Sequence, residues 1–157
     1  MGDLFYKMLL TAVSVTAFAI QDRMKKETVF VSTLGGVLTY TAEYLLLLRS
    51  KNYFLIYFFA AGVTCLYSEV MARIKKMPVT IIMLPGIIPL VPGSLIYYSM
   101  RGLLEKNYDM YQNNLIEVLL AAGGIASAAA LTGALAALYK KTVTFWLDKI
   151  EEIRKRD

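Results

Sequence analysis

Apolar residues along the chain gather in five runs separated by short polar turns: Leu4 to Gln21, Thr28 to Leu48, Tyr53 to Ala72, Pro78 to Met100 and Leu115 to Tyr139. Each run is near the ~20 residues that an α-helix needs to cross a bilayer. The pattern predicts an all-α, polytopic membrane protein with about five transmembrane helices, residues 1–139 forming one helical domain. Beyond Tyr139 the pattern changes. Val143, Trp146, Leu147, Ile150 and Ile153 share one helical face, with Lys149, Glu151, Glu152, Lys155 and Arg156 elsewhere. This predicts an amphipathic basic tail over 140–157, docked on an anionic cytoplasmic leaflet or on a partner subunit.

The fourth run differs from the others. It carries no charge between Met77 and Met100, yet Leu84-Pro85-Gly86-Ile87-Ile88-Pro89-Leu90-Val91-Pro92-Gly93-Ser94 holds three prolines and two glycines. Each proline removes a backbone donor and crowds the preceding turn. Unpaired backbone groups are costly in hydrocarbon, so broken helix survives there only where protein covers it or a wet cavity adjoins it. Two half-helices meeting near the bilayer middle are expected, the second beginning near Pro92. The N–H groups of Gly93, Ser94 and Leu95 would then point toward the break, where a helix N-terminus favours the carboxylate of a small metabolite. Pro85, Gly86, Pro89, Pro92, Gly93 and Ser94 are therefore the candidate substrate-binding residues. A proline kink filled by neighbouring helices is the plainer reading of the same residues.

Acids within the runs are the second signal, because ionisable groups in spans usually face the bundle interior or water. Glu43, Glu69 and Glu117 qualify. Glu69 has Arg73 one turn later, which an i,i+4 ion pair explains; a cytoplasmic gate or a proton-carrying acid is the functional alternative. Glu43 lies about a turn inside the external end of its span, among Tyr40 and Tyr44, and is placed either to relay protons or simply at the interface. Glu69, Arg73 and Glu43 are the coupling or gate candidates. In the last run Ala129, Gly133 and Ala137 repeat every four residues, a spacing that lets helices approach closely.

Composition narrows the chemistry. With 57% hydrophobic residues, no histidine and a single cysteine, Cys65, the chain has no basis for an internal disulfide or a clustered metal site, and no cofactor is expected. No nucleophile has a recognisable base beside it, which argues against an enzyme. The net charge of +5 belongs to turns and tail rather than to a nucleic-acid surface. One side of the five spans holds Arg23, Lys25, Lys26, Arg73, Lys75 and Lys76, and also Lys140, Lys141, Lys149, Arg154, Lys155 and Arg156. The other holds Lys7, Arg49, Lys51, Arg101 and Lys106. The split of 12 against 5 puts the C-terminus in the cytoplasm and the N-terminus outside, and it favours a full crossing by the broken run. Met8 to Ile20, ending in Ala17-Phe18-Ala19, has the look of a signal peptide, but the basic residues that follow argue for its retention. Tyrosines and phenylalanines near the external ends, Tyr57 among them, read as an interfacial belt.

The segment Ser68-Glu69-Val70-Met71-Ala72-Arg73-Ile74-Lys75-Lys76-Met77-Pro78, followed by the proline-glycine string, resembles the threonine/serine exporter family, specifically its small component, which corresponds to the C-terminal half of the fused exporters. The loop Gln21-Asp22-Arg23-Met24-Lys25-Lys26 departs from that family's proline followed by arginines. The resemblance implies a bacterial inner-membrane secondary exporter of threonine and serine, or in some two-component members of succinate, driven by an ion gradient. It also implies a larger membrane subunit as partner. Beside the amino-acid exporter stand a dicarboxylate exporter subunit and a non-transporting scaffold for a larger transporter; a homo-oligomer is a further possibility.

Overall fold

The computed structural model describes residues 2–154, and the side chains of residues 4–142. Among these the chain is helical: α1 (Gly2–Gln21), α2 (Lys26–Leu47), α3 (Tyr53–Lys75), α4 (Val79–Ile87), α5 (Gly93–Leu104) and α6 (Tyr108–Arg154), with a 3₁₀ turn at Ile88–Leu90 between α4 and α5. Four helices are long and apolar enough to cross a membrane, and the bent pair α4–α5 makes a fifth candidate span. The all-α, polytopic membrane architecture expected from the hydropathy pattern is the one observed.

Large apolar side chains lie on the outside. Phe30, Leu34, Leu38 and Leu45 of α2 and Phe59, Leu66 and Val70 of α3 are exposed, whereas Ser32, Thr39, Thr64 and Ser68 are buried. A water-soluble bundle would be penalised for this arrangement; in lipid, apolar tails cover the outer surface and small or polar residues mediate the helix contacts.

Helix ends follow local chemistry. The Asn52 side chain accepts the Leu55 N–H at 3.4 Å and caps α3. α1, α3 and α5 each terminate through a residue in the left-handed region, Arg23 (φ 53°), Lys76 (φ 52°) and Lys106 (φ 56°). In each, the next residue's N–H returns to a carbonyl five positions back: Met24 to Ala19, Met77 to Ala72 and Asn107 to Gly102, at 2.8 to 3.1 Å. These are Schellman closures with a cation where glycine usually stands.

α3 and α6 run parallel. Gly124 packs on Phe54 and Phe58 near the start of α3, Thr132 and Leu135 share a cleft with Gly62 and Leu66 midway, and the Arg73 guanidinium sits 4.9 Å from the Tyr139 ring centre at the far end. Two successive parallel helices require the chain to return between them, so α4 and α5 together traverse the bundle from one end to the other. The crossing expected from charge placement is thus the one the packing demands. α4 packs on α2 and α3, while α5 lies against α6.

The tight seam of α6 is not the one its four-residue repeat indicates. Ala121, Gly124, Ala128 and Thr132 are buried, whereas Gly133 and Ala137 are exposed. α6 also continues without a break past Tyr139 to Arg154, 47 residues or about 70 Å at 1.5 Å per residue. The amphipathic faces expected over 143–157 lie outside the residues whose side chains are described.

Candidate functional site

The break between α4 and α5 follows from its prolines. Pro85 sits inside α4 without an N–H for the Ile81 carbonyl, and Pro89 enters the 3₁₀ turn. Pro92 forces the residue before it out of helical geometry, and Val91 is extended accordingly (φ −64°, ψ 119°). The axis turns by 50°. α5 begins at Gly93 with Pro92 as its N-cap. The Gly93 N–H, expected to be free, is instead taken up by the Val91 carbonyl at 2.7 Å. This leaves Ser94 and Leu95 as the donors of that helix end.

The six candidate binding residues do not share one surface. Pro85 and Gly86 are buried against the bundle, Pro89 and Pro92 are partly covered, and Gly93 and Ser94 are exposed. Gly86 touches α3 closely: a Cβ there would stand 2.8 Å from the Thr64 methyl. Leu90, completely buried, packs in a cluster with Tyr57, Ala60 and Ala61 of α3.

Against this inner half of the break lies a polar seam that sequence reasoning missed. On α2 the residues Thr28, Ser32, Thr39 and Glu43 are buried, and on α3 Tyr57, Thr64 and Ser68. Thr39 and Thr64 are hydrogen-bonded to each other across the helices; the Gly35 and Ala60 carbonyls stand within reach of the two hydroxyls, so one threonine donates to its partner and the other donates to its own helix. The Tyr67 hydroxyl donates to the Val31 carbonyl at 2.9 Å and locks the register. The Ser32 and Ser68 hydroxyls are buried without a partner among the described residues, which is unusual because such groups are costly to leave unpaired. The signal was present in the sequence: Thr28, Ser32, Gly35 or Gly36, Thr39 and Glu43 recur every three or four positions, which is one face of a helix.

Glu43 caps this seam. Only 9% exposed, it faces Tyr57, itself 6% exposed, and the two side chains interact through the tyrosine hydroxyl. Tyr57 therefore turns inward rather than joining an interfacial belt. Tyr53 stacks on Tyr57 with ring centres 6.5 Å apart and interacts with Glu117 of α6, so the cluster ties α2, α3 and α6 together. Glu69 and Arg73 behave differently. They form an i,i+4 ion pair at 3.4 Å with side chains 21% and 48% exposed, and Arg73 also lies over Tyr139. The structure thus separates the acids: Glu43 is enclosed with a neutral partner, and Glu69 has its own cation at the α3–α6 rim. Among the described residues no group of His, Cys, Asp or Glu is placed to hold a metal, and Cys65 is a buried free thiol against the Met83 sulfur at 3.8 Å.

An apolar exterior, a bent helix pair broken by prolines and a buried acid heading a polar interior seam define a polytopic, all-α membrane protein. The model of a family described as threonine/serine exporter, ThrE, matches residues 7–135, and the chain belongs to that family. No curated protein and no solved structure matches it. A threonine/serine exporter-type transport role follows from the family.

Proposed function

We propose that this chain is one subunit of a secondary exporter of threonine and serine, lining part of the pathway with the inner half of the break, Pro85 and Gly86, and with the α2–α3 seam. Glu43 is the protonatable group that couples export to an ion gradient, and Glu69 with Arg73 closes the cytoplasmic end of α3 against α6. Gly93 and Ser94, exposed at the start of α5, face a larger membrane subunit that completes the path around Pro89 and Pro92. The protein resides in the bacterial inner membrane with its C-terminus in the cytoplasm, following the positive-inside distribution. The observation that carries this reading is a carboxylate buried in a membrane span at the head of a polar seam, since such groups are retained in spans mainly for function.

The test is efflux of labelled threonine, serine and succinate from proteoliposomes holding this chain, its larger partner, or both. Flux of threonine and serine only with both supports the proposal. Flux of succinate alone replaces the substrate by a dicarboxylate. Equal flux from the partner without this chain reduces the chain to a scaffold.

A further inference from the structure

The turns that end α1 and α3 border a half-open cavity of about 570 Å³ at the end of the bundle where α4 begins. Four cations line it, Arg23, Lys25, Lys75 and Lys76, against one acid, Asp22. Lys75 is paired with Glu27 on the rim at 3.4 Å. Arg23, Lys25 and Lys76 have no ion pair among the described residues. Converging unpaired cations repel one another and create a positive potential that attracts an anion.

Their convergence is built into the backbone. Arg23 and Lys76 occupy the left-handed closing positions of α1 and α3, so two helix terminations deliver cations to the same space. The N-termini of α2 and α4 open there as well, after Lys25 and Pro78, and neither has a side-chain cap. Their partial positive charge adds to that of the side chains. The buried Thr28 hydroxyl at the cavity wall is matched only by the Met77 sulfur at 3.9 Å, a weak acceptor. On its far side the cavity is lined by Thr80, Ile81 and Leu84 of α4, reaching the residue before Pro85.

We propose that this cavity is the entry vestibule of the exporter, a carboxylate-binding site in which Arg23, Lys25 and Lys76 hold the substrate's carboxylate before it passes along α4 to the break. The inference rests on the exporter reading above. Asp22 gives the ammonium of an amino acid a partner in the same cavity, which a dicarboxylate would not use. An anionic lipid headgroup presents the same oxyanion chemistry from a different source, and the experiment separates the two.

Equilibrium binding of labelled L-threonine and of labelled succinate is measured on the full chain in nanodiscs of neutral phosphatidylcholine, and again with phosphatidylglycerol added. Wild type binds a carboxylate ligand in neutral lipid, and its Kd rises with added KCl. R23Q/K76Q weakens binding by at least about tenfold, the scale of a lost charge-assisted contact; R23K/K76R keeps it, and R49Q/K51Q at the opposite end leaves it unchanged. No binding by wild type, or equal binding by R23Q/K76Q, overturns the vestibule. Unchanged binding of both ligands by R23Q/K76Q together with loss of phosphatidylglycerol retention also overturns it and makes the site a lipid site. Efflux measured in parallel from proteoliposomes holding this chain and its larger partner keeps the two claims apart: binding by the chain without flux from the pair contradicts the exporter reading, and flux with an unchanged KM in R23Q/K76Q contradicts the vestibule.

Discussion

Gly86 of the broken span and Thr64 of α3 meet so closely that the position a Cβ would take at Gly86 is 2.8 Å from the Thr64 methyl. The hydroxyl of the same Thr64 is engaged with Thr39. One residue therefore joins the break to the polar seam through its two different ends. G86A drives a methyl into that contact and should cost about 1–3 kcal/mol, read as a lower Tm of the purified protein and loss of efflux. T64S removes the opposing methyl and keeps the hydroxyl, so G86A/T64S should recover much of both. A double variant no better than G86A would show that the contact does not govern the break.

Packing of α6 gives a contrast between two glycines. A side chain at Gly124 would collide with backbone, its Cβ standing 2.6 Å from the Phe54 carbonyl oxygen and 3.0 Å from the Phe58 nitrogen, whereas nothing lies within 4 Å at Gly133. G124A should lower stability by about 2 kcal/mol or more, because backbone cannot yield as a flexible side chain does. G133A should be neutral or slightly stabilising in the isolated chain, within about 1 kcal/mol, given alanine's better helix propensity. Thermal unfolding of the two variants side by side measures the difference.

Ser32 and Ser68 supply a separation of stability from function. Their hydroxyls are buried and unpartnered among the described residues, so S32A/S68A should hold or raise Tm, gaining about 1 kcal/mol per relieved group. If the seam lies in the path, the same variant should slow threonine efflux several-fold. Lower stability with normal efflux would make the serines packing residues.

The spans were legible because a bilayer imposes length and hydropathy directly, and the break because proline chemistry is local: Pro85, Pro89 and Pro92 act on their own turns whatever surrounds them. The rest depended on rotation about helix axes. Glu43 and Glu69 look alike as acids inside apolar runs, and only the packing of α2 on α3 buries one beside Tyr57 while leaving the other with Arg73 at a rim. α6 is small-sided over most of Ala121 to Ala137, so its sequence offered Ala129, Gly133 and Ala137 as readily as the buried Ala121, Gly124, Ala128 and Thr132. The cations at Arg23 and Lys76 carried no warning either, since left-handed closing positions are usually read from glycine or asparagine. The polar seam was readable in principle from the spacing of Thr28, Ser32, Thr39 and Glu43, once polar residues in a membrane helix are taken to mark its inward face.

Coupling of export to a gradient turns on Glu43, and the measurement is threonine efflux driven by an imposed proton gradient in proteoliposomes holding this chain and its larger partner, comparing E43Q with E69Q at equal incorporation. E43Q should abolish gradient-driven efflux, while E69Q, which removes a partly exposed i,i+4 pair of about 0.3–0.5 kcal/mol and leaves Arg73 on Tyr139 to close that end, should retain at least about half of it. Full gradient-driven efflux by E43Q would contradict the coupling role of the buried acid.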